Sequence, residues 1–138
     1  MVLFSLILTD EELSYDNFSE DFFIGLFETE EQAEKIAHYY LKNVKGFCDF
    51  PFTYHIEKKE VVDNLNHEIP VFVWIVQRWN TNQNLDEIDM IESNCYLTEE
   101  RANLELELMK REYPRQEWAL EQWRIGKLNW QDGFERIS

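Results

Sequence analysis

The segment Thr29-Glu30-Glu31-Gln32-Ala33-Glu34 has the form of a helix opening, and Thr98-Glu99-Glu100-Arg101-Ala102-Asn103 repeats it. Aligning Thr29 with Thr98 sets a spacing of 69 residues, half of the 138 in the chain. A helix start written twice at half the chain length points to one duplicated unit, because an internal period constrains a fold more tightly than local propensity does.

Each copy carries the chemistry of a helix start. The Thr29 hydroxyl is placed to accept from a free backbone N–H of the first turn, Gln32 completes a capping box, and Glu30 and Glu31 face the positive end of the helix dipole. Ala33, Ile36, Ala37, Tyr40, Leu41 and Val44 then fall on one face at helical spacing, and Gly46 is a stop signal. In the second copy Arg101 stands where Gln32 stood, so the box is incomplete. Ala102, Leu106, Met109 and Tyr113 continue that helix, and Pro114 ends it.

Strands flank both helices. Val2 to Leu8 is an almost unbroken apolar run, suited to a strand buried on both faces, and Val71 to Val76 repeats the signature. Phe22 to Phe27 reads as a second strand, with Gly25 marking a bulge or a close packing approach. Phe52, Tyr54 and Ile56 alternate with Thr53, His55 and Glu57, as in a half-buried third strand. Ile88 to Leu97 and Trp118 to Ile125 supply the fifth and sixth strands. Thr9 to Asp21 and Gln77 to Glu87 read as long polar connections, and 63–70 as the joint between halves.

The expected fold is therefore α+β: two tandem strand-strand-helix-strand repeats, about 1–69 and 70–138, related by a pseudo-twofold. A mainly antiparallel sheet carries two helices packed on it, and 1–138 forms a single compact domain. A chain of this length buries about two-thirds of the surface its unfolded form exposes, so it need not borrow a metal or disulfides. With 44% hydrophobic and 15% aromatic residues it has apolar surface enough to offset chain entropy. Cys48 and Cys95 lack CxxC spacing and read as reduced thiols. The opening Met1 to Leu8 has no basic residue before it and runs into Asp10-Glu11-Glu12, which favours a buried strand over a signal peptide. No run approaches the roughly 20 apolar residues of a membrane-spanning helix, so a soluble, cytoplasmic protein is expected.

Charge narrows the partners. The net charge is −15, and the first half holds 15 acids against 5 lysines while the second holds 13 acids against 8 bases. Ten acids, from Asp10 to Glu34, precede Lys35, the first base. Such a field repels nucleic acid and anionic lipid and attracts basic partners; it also serves plain solubility. The candidate partner-binding residues are Asp10, Glu11, Glu12, Asp16, Glu20 and Asp21 in the acidic connection, with Trp79 in the corresponding connection of the second half.

Catalytic patterns are scarce. Gly25, Gly46, Gly126 and Gly133 form no phosphate loop, and His38, His55 and His67 have no metal-ligand spacing, so no cofactor and no metal are expected. A Cys48–His55 nucleophile pair lacks an orienting third group. Adjacent carboxylates such as Asp10-Glu11 are common in so acidic a chain. All five Trp lie in the second half. Trp74 and Trp118 suit a core, while Trp79, Trp123 and Trp130 include candidates for exposed rings.

Trp130-Gln131-Asp132-Gly133-Phe134 has no counterpart in the first half. The run from Val71 through the Thr-Glu-Glu helix opening to Ile125-Gly126-Lys127-Leu128-Asn129-Trp130 and the W-x-x-G-F ending resembles a small bacterial domain family of unknown function, built of one strand-strand-helix-strand unit. The resemblance covers the second half directly and the first only through the repeat, and it supplies no catalytic residues. In general character the chain is similar to immunity proteins that neutralise toxins. The reading is a non-enzymatic acidic protein that binds a basic protein partner, such as a toxin domain. The alternatives are a nucleic-acid mimic that inhibits a DNA-binding enzyme, and an accessory domain forming a homodimer through its sheet edges.

Overall fold

The N-terminal apolar run folds as β1 (Val2–Asp10), in which Leu3, Leu6 and Leu8 are wholly buried and Ser5 and Thr9 nearly so, so both strand faces are covered. The structure, a computed structural model, describes residues 1–10, 21–62, 70–81, 88–114 and 117–135, with the side chains of 78–81 and 88–92 excepted. The joint expected at 63–70 lies outside the described residues apart from Pro70.

β2 (Asp21–Phe27) pairs antiparallel with β1, from Phe4 opposite Phe27 to Thr9 opposite Asp21. The register slips between Leu6 and Ile7, whose partners are Gly25 and Phe23, so Ile24 is the extra residue of a β-bulge beside Gly25. The first polar connection is thus shorter than expected: Thr9 and Asp10 belong to β1 and Asp21 to β2.

α1 (Glu30–Asn43) starts at Thr29, whose Oγ1 accepts from the Gln32 N–H at 3.1 Å. It buries Ala33, Ala37 and Tyr40 and packs on β1 and β2. After Val44, Gly46 turns the chain at a φ of +89°. β3 (Phe52–Glu60) has the alternation its sequence carries, with Phe52, Tyr54 and Ile56 half-buried and Thr53, His55 and Glu57 exposed. The sheet order is β2-β1-β3. Its core joins Leu6, Leu8, Phe22, Ile24 and Phe27 to Ala33, Ala37, Tyr40, Val44 and Phe47.

The same order of elements follows as β4 (Phe72–Thr81), β5 (Ile88–Glu92), α2 (Glu99–Glu112) and β6 (Glu117–Arg124). Their sheet has the order β5-β4-β6 with both pairings antiparallel. Two sequence expectations are corrected here. The polar stretch from Gln77 continues β4 through Thr81, because Arg78 and Trp79 are paired on both sides, with Ile91 and Met90 in β5 and Trp118 and Glu117 in β6. A two-sided ladder satisfies the backbone whatever the polarity of the side chains. β5 ends at Glu92 because the Ser93 hydroxyl, at 2.9 Å, accepts the Val76 N–H, and only bridges at Cys95 and Tyr96 follow.

Thr98 caps α2 through its Oγ1, which accepts from the Arg101 N–H at 3.2 Å. Against β4 and β6 this helix fully buries Ala102; Leu106 and Met109 are half-buried and Tyr113 is exposed. The fold is α+β with two helices and mainly antiparallel sheets. No helix among the described residues is long and apolar enough to cross a membrane.

The chain forms two compact units that do not coincide with its halves. The β1 unit holds β1, β2, α1, β3 through Lys58, and the chain from Gly126 onward. The β4 unit holds Met1, the end of β3 from Lys59, and β4, β5, α2 and β6. The W-x-x-G-F segment therefore belongs to the core of the first half.

Candidate partner-binding surface

The segment after β6 is seated on the β1 unit by backbone groups. Gly126 N–H donates to Leu26 O at 2.8 Å and Asn129 N–H to Ile24 O at 2.8 Å, so the tail covers the outer edge of β2. A Cβ on Gly25 would stand 2.8 Å from Lys127 O, so Gly25 serves both the bulge and the close approach. The Tyr40 hydroxyl donates to Asn129 O at 2.9 Å, and burial, followed by the neighbouring Tyr39, pushes its pKa above the usual tyrosine range. The tail turns through Trp130, at a φ of +60°, and Gly133, at +71°. Phe134 N–H then donates to Lys45 O at 3.0 Å. The Phe134 ring stacks on Phe22 and meets Phe47 and Phe52 edge-on. Outside this seat Lys45 pairs with Glu135, whose carboxyl is held below its usual range by the hydrogen bond and then the charge of that lysine.

This tail was the main feature the sequence did not place. Its signal was present in Gly133-Phe134 and in the aromatic excess of Phe22, Phe47 and Phe52, but nothing in the sequence joins residues so far apart.

Of the candidate binding residues, Asp10 is fully buried at the end of β1, and Asp21 is exposed at the start of β2, where it accepts from the Thr9 hydroxyl at 2.8 Å. Glu11, Glu12, Asp16 and Glu20 lie outside the described residues. Trp79 sits within the central strand β4 rather than in a connection, and its side chain is outside the described set. Among the other tryptophans Trp123 is buried, Trp74 and Trp118 are half-buried, and Trp130 is exposed with its edge against Phe22.

A second group of acids is displayed at the start of α1, where Glu28, Glu30, Glu31 and Glu34 are all exposed. Lys35 lies 3.6 Å from Glu31, and no other ion pair engages these four among the described residues. An exposed pair of this kind contributes at most about 0.5 kcal/mol and leaves the surface negative. On α2 the first-turn acids Glu99 and Glu100 are exposed as well, but the rest of the outward face differs: Leu104 and Leu108 are exposed one turn apart, with Arg101 and Arg111 exposed on the same stripe.

The polar groups do not assemble into a reactive centre among the described residues. His38 is exposed with its ring edge against Tyr54, and His55 is exposed on β3; His67 is outside the described set. Cys48 is exposed, with its sulfur 3.7 Å from the Asp49 carboxylate, and Cys95 is buried. No group of three or more His, Cys, Asp or Glu side chains is placed to hold a metal among the described residues. Comparison of the chain with protein-family models, curated proteins and solved structures gives no match.

Proposed function

We propose that the chain is a non-catalytic acidic binding protein that neutralises a basic protein partner, in the manner of an immunity protein that inhibits a bacterial toxin. The observation that carries this reading is the run of exposed acids at the start of α1, Glu28 just before its cap and Glu30, Glu31 and Glu34 on the helix, in a chain of net charge −15. Asp21 is exposed as well, at the start of β2. The acids Glu11, Glu12, Asp16 and Glu20 extend the same sign in the sequence. A negative surface of this kind accelerates encounter with a positive one and suppresses wrong partners of like charge.

The proposal includes a tandem duplication, with a pseudo-twofold relating the copies, and a likeness of each copy to the small strand-strand-helix-strand family. Several coincidences support duplication. α1 and α2 both have 14 residues and a Thr N-cap, and Glu30 and Asn43 lie 69 residues before Glu99 and Glu112. Phe27 and Phe23 lie 69 residues before Tyr96 and Glu92, and their partners Phe4 and Ile7 lie 70 residues before Trp74 and Gln77, so the paired positions match once the first strand is shifted by one residue. Each sheet thus loses one residue of register over the same stretch of its first strand. Bulges of this kind are inherited within families.

The test is association with the product of an adjacent toxin-like reading frame, followed by stopped flow at several salt concentrations. Reversing Glu28, Glu30, Glu31 and Glu34 to Lys should slow association by about 10- to 1,000-fold and flatten its salt dependence. A second variant reversing Glu11, Glu12, Asp16 and Glu20 asks the same of the preceding segment. Unchanged association in both would refute electrostatic capture.

A further inference from the structure

We infer that the segment 126–135 is an exchangeable element, and that its second partner is another copy of this chain, whose β1 unit receives it as its own does. The seat is fully defined: Ile24 and Leu26 O on the β2 edge, Tyr40 on α1, Lys45 O, and the rings of Phe22, Phe47 and Phe52. Every one of these groups exists in a second copy, so exchange replaces each contact with an identical one and needs no new chemistry. The segment also leaves the unit that precedes it in sequence. Ile125 belongs to the β4 unit, its N–H donating to Val71 O, whereas Gly126 donates to Leu26 O in the β1 unit.

Gly126 is the hinge. Its φ is +82°, and nothing lies within 4 Å of where a Cβ would stand, so the backbone there turns without side-chain packing to hold it. The chain makes a corresponding transfer after β3. Val61 N–H donates to Met1 O and Val62 N–H to Cys95 O, and Cys95 stands 69 residues beyond Leu26. Passing the residues after a third strand to the edge beside the other helix is thus a habit of this fold within one molecule. The same transfer between molecules yields a dimer. Two chains of −15 repel, so salt promotes the dimer by screening.

The experiment uses full-length chains in which exposed Cys48 is replaced by Ser. One carries Lys45→Cys, at the seat, and another Glu135→Cys, on the tail. The ends of the two side chains are in contact in the structure, so a single chain with both substitutions should be closed internally by a short bis-maleimide, which spans the length that the shorter cysteine side chains give up. Mixed singly substituted chains should form a 45–135 crosslink between molecules with the same reagent, its yield rising with protein concentration and salt. Gly126→Val, which disfavours the positive φ at the hinge while keeping the N–H that donates to Leu26 O, should raise the dimer fraction by native mass spectrometry at least tenfold. Failure of the doubly substituted chain to close would overturn the seat itself. Internal closure with no intermolecular link at millimolar concentration, or a Gly126→Val chain that stays monomeric and folded by circular dichroism, would overturn exchange.

Discussion

Gly133→Ala tests whether the tail is held as the structure describes. A Cβ at residue 133 would lie 2.0 Å from Lys45 O and 2.8 Å from the carbonyl carbon, both backbone atoms that no rotamer change can remove. The φ of +71° adds about 1–2 kcal/mol for any side chain. Overlap in a packed site adds about 1–3 kcal/mol. The total is capped, because the tail leaves its seat once the strain exceeds what docking contributes: about 1 kcal/mol for the Phe134 N–H bond and about 2–3 for the half-buried Phe134 ring. Gly126→Ala supplies the control, since it has the same sign of φ but open space around its Cβ, and should cost only about 1–2 kcal/mol. At about 3–5 °C per kcal/mol for a chain of this size, Gly133→Ala should lower the melting temperature by about 10 °C, and Gly126→Ala by about half of that. Calorimetry gives the difference, and hydrogen exchange at the Phe134 amide reports whether the tail has left. Equal losses for the two glycines, or an unchanged Phe134 amide in Gly133→Ala, would refute the close approach.

Other substitutions probe the rest of the fold. Thr29→Ala should destabilise by about 1 kcal/mol in urea unfolding, because the Gln32 N–H loses its acceptor, and Thr98→Ala should cost a similar amount at Arg101. Ser5→Ala should be neutral or stabilising by up to about 1 kcal/mol, since the buried Ser5 hydroxyl has no hydrogen-bond partner among the described residues. Tyr40→Phe should cost about 1 kcal/mol at neutral pH through the lost bond to Asn129 O. Because the folded protein holds the Tyr40 proton more tightly than the unfolded chain, its contribution is complete below the unfolded pKa of about 10 and is lost as pH rises through the folded value. Tyr40→Phe should therefore flatten the alkaline loss of stability, measured as urea midpoint against pH.

Local rules located the helices well because caps are local. Thr29 and Thr98 start their helices through hydroxyls that reach only three residues onward. The alternation of β3 was equally legible, since a strand with one wet face writes its burial in period two. The end of β5 was not, because it turns on one hydroxyl: Ser93 takes the Val76 N–H out of the ladder. The reach of β4 through Trp79 was hidden for another reason, as polar residues in a central strand are supported by neighbours that only the tertiary fold supplies. On α2 the spacing identified a helix but not how its apolar residues divide between sheet and solvent. Small Ala102 is fully buried, while Leu104 and Leu108 remain outside. Of the candidate surface, the sign was plain in the sequence, but the buried Asp10 could not be separated from the exposed Asp21 without seeing β1 continue as far as Asp10.

If the two halves descend from one unit, folding restrains them only where they are buried or capped. The helices keep the same length, the same Thr cap and a buried alanine at the corresponding place, Ala33 and Ala102. Their outward residues have parted: Gln32 against Arg101, and Glu34 against Asn103. No packing requirement dictates these exposed positions, and a charge there changes stability by only a few tenths of a kcal/mol. Divergence confined to them leaves the fold intact: both helices keep two first-turn acids, Glu30 and Glu31 against Glu99 and Glu100, while α2 alone has a leucine stripe flanked by arginines. Exchanging only the outward residues in which α1 and α2 differ should therefore leave the urea midpoint nearly unchanged, and any change in association with a basic partner is then read from Glu34 and its neighbours, since Glu30 and Glu31 are matched by Glu99 and Glu100. A large loss of stability in that chimera would show that the outward faces are bound into the fold, and the argument for locating function there would fail.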